Sequence, residues 1–242
     1  MGFSTIPAIF LLICTFWIWA TNKARSNNYI TRIQVASVYS WLVLLAVWGI
    51  ASSLFALSGK YSSPEFYTSF PALWVPLTPV FISSIFLLVC PTFKNALWMI
   101  TANTSPRAFM FIHALRVAAI GGIFKAYHGL LPVSFVYPIG IPDFIFGIVS
   151  FFMAIRHGKK GYSSQTLIAW NVLGIMVLMA APILMQLGLP SPVYLLNSQP
   201  DARKLFEFPM VLAPTLVVTT LLFMNGWCAF VLWRSNKNNK II

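Results

Sequence analysis

The chain has 242 residues, 59% hydrophobic and 8% charged, with a mean hydropathy of +0.81. Soluble domains carry about 25% charged residues, so this composition excludes a water-facing globule and leaves lipid as the main solvent. The formal net charge of +12 would suggest nucleic acid in a soluble protein, but here the cations sit in short connections between apolar runs. No nucleic-acid partner is expected, and the bilayer itself is the first partner.

A membrane span needs about 20 mostly apolar residues. Seven such runs occur, over 4–21, 35–58, 71–91, 107–127, 138–155, 165–187 and 209–233. The prediction is an all-α, polytopic integral membrane protein, one transmembrane domain over 1–242. The first run has no basic residue before it, and Lys23 and Arg25 follow it. That is the reverse of a signal peptide, so it reads as a retained helix. Ser105-Pro106 is a cap followed by proline at the first helical position of the fourth span. Asn95 to Asn103 is expected to lie along the inner surface before that span. Trp17, Trp19, Trp74, Trp98 and Trp233 fall near span ends, where interfacial aromatics belong. Ser198-Gln199-Pro200-Asp201 resembles a capping box opening a short outer helix up to Glu207.

The connections set the orientation. One set carries Lys23, Arg25, Arg32, Lys94, Arg107, Arg156, Lys159, Lys160, Arg234, Lys237 and Lys240, with no acid among them. The opposite set carries Lys60, Glu65, Asp201, Arg203, Lys204 and Glu207, which nearly cancel. Lys and Arg stay on the cytoplasmic side. The N-terminus is therefore expected outside and the C-terminus in the cytoplasm, as an odd number of spans requires. The basic tail also favours anionic lipid.

Trp41–Gly59 and Trp170–Gly188 share one spacing, each followed by a Ser-Pro pair, Ser63-Pro64 and Ser191-Pro192. Each then meets Phe-Pro and a further proline: Phe70, Pro71 and Pro76, then Phe208, Pro209 and Pro214. This suggests a 3+1+3 parallel repeat. Such a plan resembles the SWEET sugar transporters in topology, although their proline-glutamine loop motif is absent.

The spans hold few ionisable groups, and these are functional candidates by default. Arg116 lies nine residues beyond Arg107, roughly 13 Å higher on a helix, near the middle of the apolar core. His113, three residues earlier, shares its face. A lone arginine at that depth costs about 2.5–3.5 kcal/mol on insertion scales, so Arg116 needs an acceptor inside the bundle. Asp143 is the one acidic residue in or near a span, and an Arg116–Asp143 ion pair, bidentate in form, is predicted. Asp143 also suits a helix cap, with Pro142 at the first helical position of the fifth span. A structural pair orienting two helices and a pair lining a ligand path both remain open.

Leu131 to Ile141 is apolar but interrupted by Pro132, Pro138 and Gly140, and reads as a broken segment lining a cavity or an outer loop. Pro76, Pro79, Pro182 and Pro214 fall in the outer halves of their spans, where kinks could splay a vestibule. Asn171 and Asn225 match Arg116 in height and extend its network or bond a neighbouring helix. Lys125 is expected on the far side of its helix, snorkelling outward. His128 lies at the same outer end, and His157 in a basic inner loop. The three histidines differ too much in height for haem or metal ligation. Cys14, Cys90 and Cys228 show no metal spacing, so neither a cofactor nor a metal is expected. No lysine lies in the seventh span for a retinal Schiff base, and there is no P-loop, no HExxH and no nucleophile–base motif. No catalytic residue is assigned.

The run Leu115, Arg116, Gly121, Gly129, Leu131, Pro132, Phe135, Pro138, Gly140, Asp143 and Gly147 resembles a pattern found in uncharacterised bacterial polytopic membrane proteins: Leu-Arg, Gly, Gly-Leu-Pro, Phe, Pro-x-Gly-x-x-Asp, Gly. Leu130 intervenes here between Gly129 and the Leu-Pro pair. The resemblance implies a multi-pass protein of a bacterial inner membrane with the Arg and Asp as its signature, and carries no activity. The leading expectation is a protein binding or transporting a small anionic ligand through an outward vestibule, with Arg116, Asp143, His113, Asn171 and Asn225 as ligand-binding candidates. A structural or accessory subunit of a membrane complex is the alternative. A membrane enzyme acting on a lipid is the third.

Overall fold

The protein is described from a computed structural model over residues 4–68, 74–191 and 193–238, with side chains at all of these except 158–160 and 238. The predicted start of the third span at 71–73, Phe70, Pro71, Pro192 and Lys240 lie outside the described residues, as do the side chains of Lys159 and Lys160. Among the described residues every regular element is helical. The elements are α1 (Ile6–Ser26), α2 (Arg32–Leu57), the short α3 (Pro64–Thr68), α4 (Thr78–Val89), α5 (Pro91–Asn103), α6 (Pro106–Ala114), α7 (Ile120–Tyr127), α8 (Val133–Lys160), α9 (Ser164–Leu187) and α10 (Val218–Asn238). A 3-10 turn, Leu115–Ala119, joins α6 to α7 as one span, and a π turn, Ala213–Val217, leads into α10.

Six of these helical runs are long and apolar enough to cross a membrane, and a seventh arises if α4 and α5 form one broken span. Pro91 follows Cys90 at the break, and the two helices meet at 107°. Proline disfavours helix at the residue before it, so the chain turns there. Asn95–Asn103 lies in α5 beyond this bend, with Ala96, Leu97 and Ile100 fully buried. Starts are capped as their sequences require. Thr31 and Gln34 form a reciprocal capping box on α2, and the Ser105 hydroxyl accepts from the Arg107 amide on α6.

The C-terminal span is the hub. Of its membrane-length window 72% is buried, against 22–39% for the other five single-helix spans. Around it, Trp41 makes ring contacts with Trp17, Phe93 and Phe223, tying α1, α2, α5 and α10 together. Its Nε1 donates to the Ser83 hydroxyl of α4 at 2.9 Å. Trp17 is therefore a core residue and not an interfacial one, a correction to the sequence reading. Trp19, Trp74 and Trp233 are exposed.

Pro214 lies in the π turn, where a missing N–H and a bulky ring break the i→i−4 ladder. Neighbours bond the irregular stretch. Trp48 Nε1 donates to the Thr215 carbonyl at 2.8 Å, and the Ser52 and Thr215 hydroxyls are bonded at 2.9 Å. The Tyr61 hydroxyl donates to Ser52. Burial raises the Tyr61 pKa above the ordinary phenol value, which keeps the hydroxyl a donor.

Two expectations about chain breaks are corrected. Leu131–Ile141 is not an irregular segment: Pro132 is the N-cap residue, α8 begins at Val133, and Pro138 and Pro142 lie inside it. Asp143 therefore sits in a helix interior and caps nothing. The turn Ala202–Phe206, expected as a short outer helix, is a 3-10 helix capped by Asp201, which accepts from the Arg203 amide, rather than by a box at Ser198.

Candidate functional site

Arg116 occupies the 3-10 turn between α6 and α7, where the helix is wound more tightly. α8 crosses at this point through Gly147. A Cβ there would lie 2.9 Å from the Arg116 carbonyl carbon and closer still to the Val117 nitrogen. The absence of a side chain lets the two backbones touch. Four residues before Gly147, Asp143 faces the same helix, and Arg116 Nε donates to its Oδ1. The Arg116 side chain is 0% exposed and the Asp143 side chain 13%. The predicted ion pair forms, but it is not bidentate: Nη1 and Nη2 of Arg116 have no hydrogen-bond partner among the described residues.

The guanidinium instead lies over an aromatic ring. Its Cζ is 3.9 Å from the Phe146 centroid. The other side of Phe146 stacks on Trp170 at 4.0 Å with 9° between planes. An arginine held over an aromatic face gains cation–π attraction, more when desolvated. His113 meets the same ring edge-on at 6.1 Å. Both its ring nitrogens are buried without a partner among the described residues.

Two cavities flank this level. The first, about 260 Å³, takes its walls from the half of the α6–α7 span beyond Arg116, from the first half of α8, and from the start of α1. Asp143 and Lys125 are its charged lining residues. Lys125 was expected to leave the bundle; it is half-buried, and its Nζ approaches the Met210 sulfur at 3.8 Å. The second cavity, about 200 Å³, lies in the opposite half, lined by His113, Trp170, Asn171, Thr101, Thr104 and apolar neighbours. The four prolines do not build the first cavity together. Its α10-side wall is Met210, Ala213 and Val218, flanking the turn at Pro214, while Pro76, Pro79 and Pro182 are elsewhere.

The two asparagines do not join the arginine. Asn171 Nδ2 donates to the Leu167 carbonyl one turn back at 2.8 Å. Asn225 is fully buried, its amide unpartnered among the described residues. It packs on Gly174, where a Cβ would come within 2.7 Å of its Oδ1. The structure thus gathers Arg116, Asp143 and His113, leaves Asn171 in the second cavity, and puts Asn225 in the α9–α10 contact. Lys125, Phe146 and Trp170 are the residues missed by sequence reasoning. Phe146 was accessible to it, three residues from Asp143 on the same helix face. Trp170 carried no signal beyond its aromatic character.

Among the described residues, six or seven helical runs long and apolar enough to cross a membrane, with an ion pair buried between two of them, define a multi-pass α-helical integral membrane protein. In comparisons with protein-family models, curated proteins and solved structures, nothing matches the chain.

Proposed function

We propose that the protein binds, and in doing so transports, a small anionic solute at Arg116. The observation that carries this reading is a buried guanidinium with one carboxylate on Nε and two Nη groups without a partner among the described residues, whose neighbours Asp143 and His113 each line a cavity, in opposite halves of the bundle, that the arginine itself does not reach. Lys125 lines the first cavity and draws an anion in; Asp143, at the wall, is the counter-ion of the empty state. The solute replaces or shares Asp143 at the guanidinium, and His113 and Trp170 receive it on the other side. In the same reading the first cavity opens outward and the basic connections face the cytoplasm of a bacterial cell, which the positive-inside rule supports. The resemblance of the central motif to bacterial polytopic proteins and the 3+1+3 repeat belong to this proposal too.

A second reading has its own observation. The Gly147 contact places the ion pair in the tightest helix crossing around Arg116, where a pair can serve to register α6–α7 against α8. This is the structural or accessory-subunit reading, in which a membrane-complex partner supplies the function.

The test is the thermal stability of detergent-purified wild type, Arg116→Gln, Asp143→Asn and the double variant, each with and without a panel of small carboxylates and phosphates. Removing one partner of a buried pair costs about 3–5 kcal/mol. Asp143→Asn should be the worse single variant, because it strands the fully enclosed charge. A wild-type stabilisation by an anion that Arg116→Gln loses while still folded supports solute binding. An anion effect that survives in Arg116→Gln sinks it. Two crippled single variants and a recovered double, with no anion effect in any, leave the structural reading.

A further inference from the structure

The α4–α5 bend encloses a different kind of surface. An apolar groove of about 500 Å³ runs between Leu87 and Leu88 of α4, Ile175 and Met179 of α9, and Phe223 and Gly226 of α10. It ends at Lys94 and Phe230. These two residues also line an adjoining polar recess with Asn95, Trp98 and Arg234. Arg234 sits over the Trp98 ring at 5.9 Å, and Trp98 meets Phe230 edge-on at 6.3 Å. Neither α5 nor α10 carries an acidic residue. A long apolar slot thus leads into a pocket with two cations, an amide and an indole.

We infer that the crook of the α4–α5 bend binds one anionic phospholipid, with its phosphate between Lys94 and Arg234 and one acyl chain in the groove beside Gly226. The two halves of the surface match the two halves of an amphiphile. Hydrocarbon meets the aliphatic walls, the glycerol region meets the indole as interfacial aromatics do, and the phosphate meets guanidinium and ammonium donors. Gly226 keeps the floor of the slot open, since a Cβ there has nothing within 4 Å. This site is independent of what Arg116 binds.

The experiment is native mass spectrometry of the full chain in detergent, titrated with dioleoyl phosphatidylglycerol or dioleoyl phosphatidylcholine. Cations near a membrane surface each strengthen binding of anionic lipid about fivefold. Wild type should retain one phosphatidylglycerol in preference to phosphatidylcholine. Lys94→Gln/Arg234→Gln should weaken phosphatidylglycerol about 25-fold and erase the preference. Both side chains are exposed, so the fold should survive. Gly226→Leu, which fills the slot, should weaken both lipids at unchanged thermal stability. Equal retention of the two lipids by wild type, or full phosphatidylglycerol affinity in the double variant, overturns the site. Unchanged affinity in Gly226→Leu overturns the placement of the chain.

Discussion

Arg116 is held by three neighbours of different chemistry: a carboxylate on Nε, an aromatic ring beneath its Cζ and a glycine that brings the opposing backbone close. The ring is the partner whose removal is cleanest, because it leaves the charge balance untouched. Phe146→Leu keeps bulk but removes both the cation–π contact and the stack on Trp170, and should cost about 1–3 kcal/mol in thermal unfolding. A loss much smaller than this would show that the aromatic layer is only filler. The ion pair was legible in the sequence because charge is scarce: one buried cation and one nearby acid leave little choice. Its geometry was not legible, since whether a guanidinium offers its edge or its end depends on where the second helix crosses. The asparagines misled for the same reason. Equal height along two spans says nothing about which way each side chain faces.

Helix breaks were the least legible elements. Pro138, Gly140 and Pro142 read as interruptions, yet α8 runs through all three. In a span packed among helices the backbone has no competing water, and prolines bend a helix there without ending it. Pro91 does end one, because it keeps Cys90 out of helical geometry. Glycines divide along the same line. Gly147→Ala forces a methyl into the Arg116–Val117 backbone and should lower stability by at least about 1–3 kcal/mol. Gly121→Ala, little more than one turn further along the α6–α7 span, meets nothing within 4 Å and should be neutral or stabilising by up to about 1 kcal/mol. Thermal unfolding of the two side by side separates a packing role for Gly147 from mere helix propensity; equal effects would refute the close crossing.

For the whole molecule, composition and apolar run length made the membrane class legible, and six single spans with one bent pair agree with it. Orientation rests on loop charge and is open to direct measurement. In a chain with Cys14, Cys90 and Cys228 changed to serine, Lys60→Cys should react with an impermeant thiol reagent in intact cells. Lys237→Cys should react only after permeabilisation; the opposite pattern inverts the proposed topology. Which span forms the centre was not legible at all, because every span is about equally apolar and hydropathy has no term for position within a bundle. That centre is built from 213–237, the part of this chain synthesised last among its spans. A ribosome releases the preceding helices into the bilayer before their common partner exists. Until then Trp41 lacks Phe223, Ser52 lacks Thr215 and Thr101 lacks Trp227. A nascent chain stalled ahead of residue 213 therefore holds the walls of the bundle without the post they lean on.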